Sequence, residues 1–375
     1  MVEQIAVLGG GNIGYATTAD LTYKGYEVRL YVRTTSHHLE LIREGKITLR
    51  ISKYHPRRAP MEVDVEPHLV SGDMAEVVPG ADLVLVTIPA TGQDELIAGL
   101  MPLLEDGQAV VFTPGNLGAY VLAHRLWESG LDTNVSIAET SSPPYVARRS
   151  GPREVTINLD AVHMPIGGFP GKDSRALAVL QEVYPESAEA AEDALAAALN
   201  NSNPAINATP TILNAGAIEC GEFPNFHIHR HGVSRSVYRV VMSVDAERVA
   251  IREELGYGPP HFTQDELYKH SGGPTGDHFY GREAFDAIFE ASTFKGDPPS
   301  LEFRYIPEDC GIGAVLFASL GDYLGIETPT LDAVIRLGAV LMGRDYRTEG
   351  RTLRQLRLDG LSREKFERLF TEGFS

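Results

Sequence analysis

The amino-acid sequence predicts an α/β fold in the first half of the chain and an all-helical fold in the second half. In the first half, a short apolar strand, a glycine-rich turn, a helix and a second strand follow one another within about thirty residues, the unit from which parallel sheets are built. From Ser174 onward, apolar residues spaced three and four apart replace the short β runs, as in amphipathic helices. We therefore predict two domains, 1–185 and 186–375.

The predicted parallel sheet begins with a strand at 4–8, a helix over 15–23 and a second strand at 27–32. The segment 83–88 is the clearest further strand, because near-continuous β-branched and leucine residues are typical of a strand covered on both faces. Four more segments are predicted to extend the same sheet: 109–113, 134–138, 154–158 and 161–165.

The clearest helices of the second half have apolar residues at helical spacing, with Gly-rich or Pro-rich breaks between them. They are predicted at 236–255, 315–323, 331–342 and 362–370. At 375 residues, with 43% hydrophobic and 22% charged positions, the chain is long enough for each domain to bury a core of its own.

Charge and cysteine content argue against several classes of function. The formal net charge of −18 disfavours nucleic acids and anionic membranes, both of which attract basic surfaces. The sequence has no apolar run of about 18 residues and no basic flank followed by an apolar segment at its start, which predicts a cytoplasmic protein. Cys220 and Cys310 lie far apart without CxxC spacing, so neither a disulfide framework nor a zinc cluster is predicted.

A glycine motif at the first strand-to-helix turn predicts where a ligand binds. Gly9, Gly11 and Gly14 have the G-x-G-x-x-G spacing, with a strand before them and a helix after them. In this motif the first glycine permits a tight turn, the second lets the backbone approach a pyrophosphate, and the third lets the helix pack closely on the strand. The N–H groups of the helix start, at Asn12 and Ile13, would bind the anion. We predict a Rossmann domain that binds a nicotinamide dinucleotide.

The residues after the second strand predict which dinucleotide is bound. NAD enzymes place an acidic residue there against the adenosine ribose, whereas this sequence has Arg33 followed by hydroxyl residues at 34–36. The guanidinium of Arg33 can pair with a 2′-phosphate, and the hydroxyl of Thr34 can donate to it. NADP (as NADPH) is therefore favoured over NAD. The alternative is that Arg33 is a solvated charge at the end of a strand.

Six short blocks in the second half carry a family signature through their order and spacing. They are 210–219 (PTILNAGAIE), 232–241 (GVSRSVYRVV), 245–249 (DAERV), 304–309 (RYIPED), 323–331 (YLGIETPTL) and 348–352 (TEGRT). These blocks resemble the opine dehydrogenases, the octopine and nopaline dehydrogenase family. With the Rossmann half, the resemblance spans nearly the whole chain.

Enzymes of this family, as the resemblance implies, join the amine of an amino acid to a 2-oxo acid and reduce the resulting imine with NAD(P)H. The implied fold is a Rossmann domain followed by an all-helical domain, with the substrates in the cleft between them. Arg304 and Asp309 match an Arg and an Asp of the family's pattern. A guanidinium can hold a substrate carboxylate, and a carboxylate can orient a proton donor or bind an ammonium. The alternative for this pair is an ion pair within the domain.

The sequence departs from the family at one position. Members carry a His just before the Leu-Asn-Ala-Gly block, paired with the Asp as acid and base, whereas the aligned residue here is Asn207. An amide does not exchange a proton near neutral pH, so Asn207 is predicted to hydrogen-bond in the active site while the proton comes from elsewhere. His227, His229 and His231 alternate and would lie on one side of an extended segment. We interpret them as surface residues, with a replacement acid or a metal site as alternatives.

The leading hypothesis is an NADP-linked reductase acting on the imine of an amine or amino acid and a 2-oxo acid. Two alternatives remain: an NADPH-dependent reductase that converts a ketone or 2-oxo acid to an alcohol, and a non-catalytic dinucleotide-binding regulator. Carbonyl reduction would proceed without an amine, and a regulator would bind NADPH without turnover. The predicted partners are these small molecules, without nucleic acid, membrane or metal ion, and a homodimer is left open.

Overall fold

The computed structural model describes residues 1–131, 133–264, 279–280 and 296–374, which divide into two compact units. Within the described ranges, the first unit consists of residues up to 198 together with 279–280 and 368–374, and the second consists of 199–264 and 296–367. The predicted division at 185/186 falls inside the first unit. The reason is that a short strand, Ala188–Ala190, follows this point and pairs with the main sheet of that unit.

The strands of the first unit are short, and those of the main sheet are buried on both faces near its centre. In chain order they are β1 (Gln4–Leu8), β2 (Glu27–Tyr31), β3 (Ile47–Ile51), β4 (Met61–Val65), β5 (Leu69–Ser71), β6 (Leu83–Val86), β7 (Ala109–Phe112), β8 (Ser136–Thr140), β9 (Tyr145–Arg149), β10 (Glu154–Asp160), β11 (Met164–Phe169) and β12 (Ala188–Ala190). Every residue of β6 and β7 is buried, as their continuous apolar sequences predict.

Eight of these strands form the main sheet in the order β12-β11-β8-β7-β6-β1-β2-β5. All neighbours are parallel except β8 and β11, which are antiparallel. The carboxyl ends of the six strands from β8 to β5 in this order therefore meet at one edge, where open α/β sheets bind their ligands. This arrangement confirms the predicted α/β fold of the first half.

A second sheet, with the strand order β4-β3-β10-β9, corrects the sequence prediction. The segment predicted at 154–158 was expected to extend the main sheet, but it belongs to this sheet as β10, parallel to β3 and antiparallel to β9. β3 and β4 were not predicted, although ITLRI and MEVDV alternate apolar and polar residues as a one-sided hairpin does. The segment predicted at 161–165 does join the main sheet, as β11.

Helices of the first unit cover the main sheet and connect its strands. They are α1 (Asn12–Tyr23), α2 (Leu39–Glu44), α3 (Met74–Val77), α4 (Gln93–Leu100), α5 (Gly118–Ser129), α6 (Arg175–Val183) and α7 (Ala194–Asn200), whose last residues belong to the second unit. None of the helices in the described ranges is both long enough and apolar enough to cross a membrane.

In the described ranges of the second unit, the regular secondary structure is helical apart from one isolated bridge between His227 and Asp297, which confirms the predicted all-helical half. Its α-helices are α8 (Thr209–Leu213), α9 (Ala215–Glu219), α10 (Arg235–Glu254), α11 (Val315–Leu324), α12 (Pro329–Met342), α13 (Tyr346–Glu349) and α14 (Arg363–Glu372), whose last residues belong to the first unit. Three wider π-helical segments accompany them: Pro204–Ala208, Ile228–Gly232 and Tyr305–Ala314.

One of the six sequence blocks, 245–249, stabilises this helical unit. Arg248 is buried, forms an ion pair with Asp245 at 2.8 Å and donates to the carbonyl of Leu199 at 2.7 Å. Glu247 accepts hydrogen bonds from the backbone N–H groups of Thr330 and Leu331, at the start of α12. Buried charges are stable only when they are paired, and the charges of this block are paired within α10 or with neighbouring backbone groups. The block therefore connects α10 to Leu199 and to the start of α12.

Candidate active site

The glycine-rich turn between β1 and α1 is shaped by close backbone packing. Gly9 has a φ of +136°, and a Cβ on it would lie 2.7 Å from Thr87 Oγ1. A Cβ on Gly14 would lie 1.7 Å from the carbonyl oxygen of Gly9, so neither position tolerates a side chain. A Cβ on Gly11 would meet nothing within 4 Å. The absence of a side chain at Gly11 thus leaves open space beside the helix start, where a ligand can approach the backbone.

The N-terminus of α1 offers free backbone donors at this turn. Gly11 is exposed and is the N-cap residue, and no side chain caps the helix there. Asn12 and Ile13 are the first helical residues, and their N–H groups precede the first intrahelical bond, from Tyr15 to Gly11. The side chain of Asn12 points elsewhere, because its Oδ1 accepts a hydrogen bond from the backbone of Arg149 at 2.9 Å. The helix start can therefore bind an anion through its backbone.

Arg33 and Thr34 lie just after β2, and both are exposed. Arg33 Nη1 forms an ion pair with Glu95 Oε2 at 2.7 Å, and the two side chains are 66% and 72% exposed. An ion pair this exposed stabilises the fold by about 1 kcal/mol or less. The guanidinium can therefore exchange Glu95 for an anionic ligand at little cost.

The second unit brings together Asn207 and Asp309, which are far apart in sequence. Asn207 lies in the π-helix Pro204–Ala208 and Asp309 in the π-helix Tyr305–Ala314. Asn207 Nδ2 donates a hydrogen bond to Asp309 Oδ2 at 2.9 Å, and both residues are buried. Widened helical turns of this kind are frequent at functional sites.

The local sequence explains how the longer π-helix is held in place. Gly311 faces the ring of Tyr346, since a Cβ on it would lie 2.8 Å from that ring. A Cβ on Gly338 of α12 would likewise lie 2.9 Å from Cys310 Sγ. The segment that carries Asp309 is therefore closely packed against α12 and α13.

Burial raises the pKa of Asp309 to about 7. The positive charge of Arg304 and the hydrogen bond from Asn207 oppose this shift, while the negative charge of Glu308 adds to it. A carboxyl group with this pKa is part protonated and part ionised at neutral pH. Asp309 can therefore both give and take a proton under physiological conditions.

Arg304 lies beside this carboxyl group but pairs with another residue. Its Nη1 contacts Glu308 Oε2 at 2.9 Å, while its own side chain remains 36% exposed and that of Glu308 is buried. Burial alone would lower the pKa of Arg304, but the negative charges of Glu308 and Asp309 raise it. The guanidinium therefore stays charged. Glu308 is not among the residues predicted from the sequence, although an acid four residues after an arginine is the usual spacing for a helical ion pair.

The three histidines do not lie on an extended segment, so that expectation was wrong. His227 precedes the π-helix Ile228–Gly232, and its Nδ1 accepts a hydrogen bond from the backbone N–H of His229 at 3.2 Å. His231 Nδ1 accepts in turn from the backbone N–H of His227 at 3.0 Å. These local bonds close a turn, which alternation in sequence does not reveal. Within the described ranges, no group of His, Cys, Asp and Glu is arranged to hold a metal ion.

Comparisons with known families match the two halves of the chain separately. The model of the NAD/NADP octopine/nopaline dehydrogenase family, alpha-helical domain, matches residues 190–342. The model of ketopantoate reductase PanE/ApbA matches residues 5–156. The two matches cover the glycine turn and the segment that carries both Asn207 and Asp309.

Individual proteins resemble the chain along nearly its whole length. The opine dehydrogenase of Arthrobacter sp. (strain 1C) is 31% identical over 360 residues, which is 95% of this chain and 96% of that protein. The structure of octopine dehydrogenase with NADH and agmatine has a TM-score of 0.71 at 17% identity and covers 98% of both chains. Yersinopine dehydrogenase with NADP+ bound has a TM-score of 0.64 at 13% identity, covering 100% of this chain and 98% of its own. The two structures share the fold.

Proposed function

The chain belongs to the opine dehydrogenase family, and from this premise we propose that it reduces the imine formed from an amine or amino acid and a 2-oxo acid. In this reaction the amine nitrogen attacks the oxo carbon, water leaves, and the C=N bond is reduced to a secondary amine. Gly9, Gly11 and Gly14 would hold a nicotinamide dinucleotide, which would supply the hydride and become NAD(P)+. One proton is taken up overall. The protein must therefore bind two substrates and provide a group that removes and donates protons while the imine forms.

The observation that carries this proposal is the buried contact between Asn207 and Asp309. Imine formation needs a base that removes a proton from the ammonium of the amine, and an acid that protonates the departing hydroxyl. Asp309 can do both, because its pKa of about 7 keeps each form populated. Asn207 holds the carboxyl group in one orientation through its amide. We propose that Asp309 is the acid and base in place of the family's imidazole.

Arg304 is proposed to bind the carboxylate of a substrate. Its guanidinium is charged and partly exposed, and Glu308 holds it from one side. A planar group with several N–H donors suits a carboxylate, because it forms two parallel hydrogen bonds. This contact would place the oxo acid or amino acid against the proton-transferring carboxyl group.

The glycine turn is proposed to hold the pyrophosphate of the coenzyme. Gly9, Gly11 and Gly14 shape the turn, and the N–H groups of Asn12 and Ile13 would donate to the phosphates. Arg33 and Thr34 would bind a 2′-phosphate, so NADPH is preferred over NADH. Support comes from the exposure of both residues directly after β2, the position that selects between the two coenzymes.

Coenzyme preference can be reversed at Arg33. We expect Arg33→Asp to weaken NADPH binding much more than NADH binding, because a carboxylate repels the 2′-phosphate and can bind the ribose hydroxyls. A lost hydrogen bond to a charged group corresponds to about 1.5–3 kcal/mol, or roughly tenfold to hundredfold in affinity. Fluorescence titration of both coenzymes measures the effect.

Glu95→Gln is the matched control for this experiment. It removes the partner of Arg33 without removing the guanidinium, so NADPH affinity should be unchanged or higher. Equal weakening of both coenzymes by Arg33→Asp would show that Arg33 does not contact the 2′-phosphate.

The role of Asn207 is tested by removing its amide. Asn207→Ala should lower kcat by an amount equivalent to about 1–3 kcal/mol, the cost of leaving a buried partner unpaired. Because the amide hydrogen bond lowers the pKa of Asp309, its loss should shift the titrating limb of the kcat profile to higher pH without abolishing it. The measurement is kcat against pH with a productive amine and oxo acid.

Asn214→Ala serves as the control in the same unit. The Asn214 amide donates to the carbonyls of Pro210 and Gly232, so its loss should lower stability without moving the pH limb. Unchanged kinetics in Asn207→Ala would remove Asn207 from the active site.

The substrate class is tested by measuring coenzyme oxidation over a matrix of amines and 2-oxo acids, with each component omitted in turn. Oxidation should require both an amine and an oxo acid. Oxidation that continues without any amine would favour the reduction of a ketone or 2-oxo acid to an alcohol. Coenzyme binding without turnover on any mixture would favour a regulator. The cytoplasmic location and the homodimer remain predictions from the sequence.

A further inference from the structure

Arg149, the last residue of β9, lies against the glycine-rich turn. Its Nη1 donates a hydrogen bond to the carbonyl of Gly10 at 3.1 Å. Its backbone N–H donates to Asn12 Oδ1 at 2.9 Å. β9 of the second sheet therefore places a guanidinium beside the turn at which α1 begins. The glycine motif itself contains no charged side chain.

The guanidinium is held in one orientation by its neighbours. It stacks on the ring of Tyr15, with its central carbon 4.1 Å from the ring centre. The hydroxyl of Tyr15 is hydrogen-bonded to His38 Nδ1 at 2.7 Å, and the ring of His38 lies so close to Gly10 that a Cβ there would be 2.7 Å from it. Arg149, Tyr15 and His38 thus form one packed cluster beneath the turn. A preorganised guanidinium loses little entropy when it binds an anion.

Among the residues that the structure describes, Arg149 forms no ion pair with a carboxylate, unlike three other arginines of the first unit. Those that pair with carboxylates are Arg33 with Glu95, Arg50 with Glu62 and Glu154, and Arg153 with Glu40 and Glu44. Among the described residues, the Arg149 side chain donates only to backbone carbonyl oxygens, and its buried Nε has no hydrogen-bond partner there. Its remaining bond, from Nη2 to the carbonyl of Pro152, is 3.4 Å long and exposed.

His38 adds no charge to this cluster. Burial, together with the positive charges of Arg149 and His37, lowers the pKa of His38 to about 4. The imidazole is therefore neutral at physiological pH, and the guanidinium is the cation of the cluster. A partly buried cation beside a helix N-terminus favours an anion at this place.

We propose that Arg149 binds a phosphate group of the coenzyme, together with the backbone donors at the start of α1. The inference rests on the proposed function, because it takes the bound molecule to be a nicotinamide dinucleotide. Such a molecule offers two kinds of anionic phosphate oxygen to a guanidinium. One is the pyrophosphate, which both coenzymes contain, and the other is the 2′-phosphate, which only NADPH contains. Arg149 thus adds a charge to a site that the sequence motif builds from backbone alone.

Direct titration of NADPH and NADH, without substrates, tests the assignment on the full-length chain. Arg149→Gln should weaken binding by about tenfold or more, as expected for a lost charged hydrogen bond. Equal weakening of both coenzymes identifies the pyrophosphate, and weakening of NADPH alone identifies the 2′-phosphate. The dependence of affinity on salt concentration should also become shallower, because one ionic contact is lost. Arg149→Lys keeps the charge and should retain the salt dependence of the wild type.

Arg153→Gln is the matched control, since Arg153 is paired with Glu40 and Glu44. The coenzyme affinity of this variant should equal that of the wild type. Thermal unfolding of each variant reports whether the fold is kept. Unchanged affinity in Arg149→Gln, or weaker affinity with an unchanged salt dependence, would overturn the assignment and leave Arg149 a packing role. If the wild-type protein bound neither coenzyme, the proposed function would fail before Arg149 is tested.

Discussion

Asp309→Asn is expected to lower kcat by about 10²–10⁴-fold, the usual contribution of a positioned acid or base. The amide keeps the shape of the carboxyl group and can still accept a hydrogen bond from Asn207, but it exchanges no proton near neutral pH. The limb of the wild-type kcat profile near pH 7 should disappear in the variant. NADPH affinity should stay unchanged, because the coenzyme is proposed to bind at the glycine turn.

Stability provides an independent readout of the same carboxyl group. Burial raises the pKa of Asp309 from 3.8 in the unfolded chain to about 7, so the folded state favours the protonated form. The stability that this group contributes is fully present below about pH 4 and is lost as the pH rises to about 7. Asp309→Asn removes the buried charge, so its free energy of unfolding should exceed that of the wild type increasingly from pH 4 to pH 7. The difference should then level off.

The two measurements together separate a proton-transferring role from a structural one. A variant that is less stable than the wild type at pH 8 would show that the ionised carboxylate supports the fold. A variant with wild-type turnover would show that the proton comes from another residue.

Arg304→Gln is expected to raise the KM of the carboxylate substrate strongly while coenzyme affinity stays the same. Loss of a charge-assisted hydrogen bond corresponds to about 1.5–3 kcal/mol, or roughly tenfold to hundredfold in KM. The variant also removes the ion pair between Arg304 and the buried Glu308, so a lower melting temperature should accompany the kinetic change. Steady-state kinetics with each substrate varied separately identify which carboxylate is bound.

Two variants sharpen this prediction. Arg304→Lys keeps the charge near Glu308 but loses the planar fork, so it should regain stability while KM stays high. Arg336→Gln changes an exposed arginine of α12 in the same unit and should leave KM unaltered. A wild-type KM in Arg304→Gln would exclude Arg304 from substrate binding.

The parts of the molecule that follow from local sequence were predictable. The glycine turn was predicted because its spacing, strand and helix all occur within a few residues of one another. The long helices of the second unit were predicted because their apolar spacing is regular. The main sheet was predicted through the continuous apolar runs of β6 and β7.

Features that depend on distant contacts were not predictable. β10 was assigned to the wrong sheet because strand pairing depends on partners elsewhere in the chain, here β3 and β9. The raised pKa of Asp309 comes from its burial in the π-helix Tyr305–Ala314, which no periodicity signals. Arg149 reaches the glycine turn only because the second sheet folds against α1, so nothing in its local sequence marks it.

The most direct test of the central claim is to identify the reduced product. The wild-type protein is incubated with a 2-oxo acid, an amine found productive in the matrix, and NADPH or NADH carrying deuterium at the transferred position. We predict a secondary amine that carries one deuterium on the carbon of the former oxo group, and no product when the amine is omitted. A deuterated 2-hydroxy acid formed equally well with and without the amine would contradict the claim and identify a carbonyl reductase.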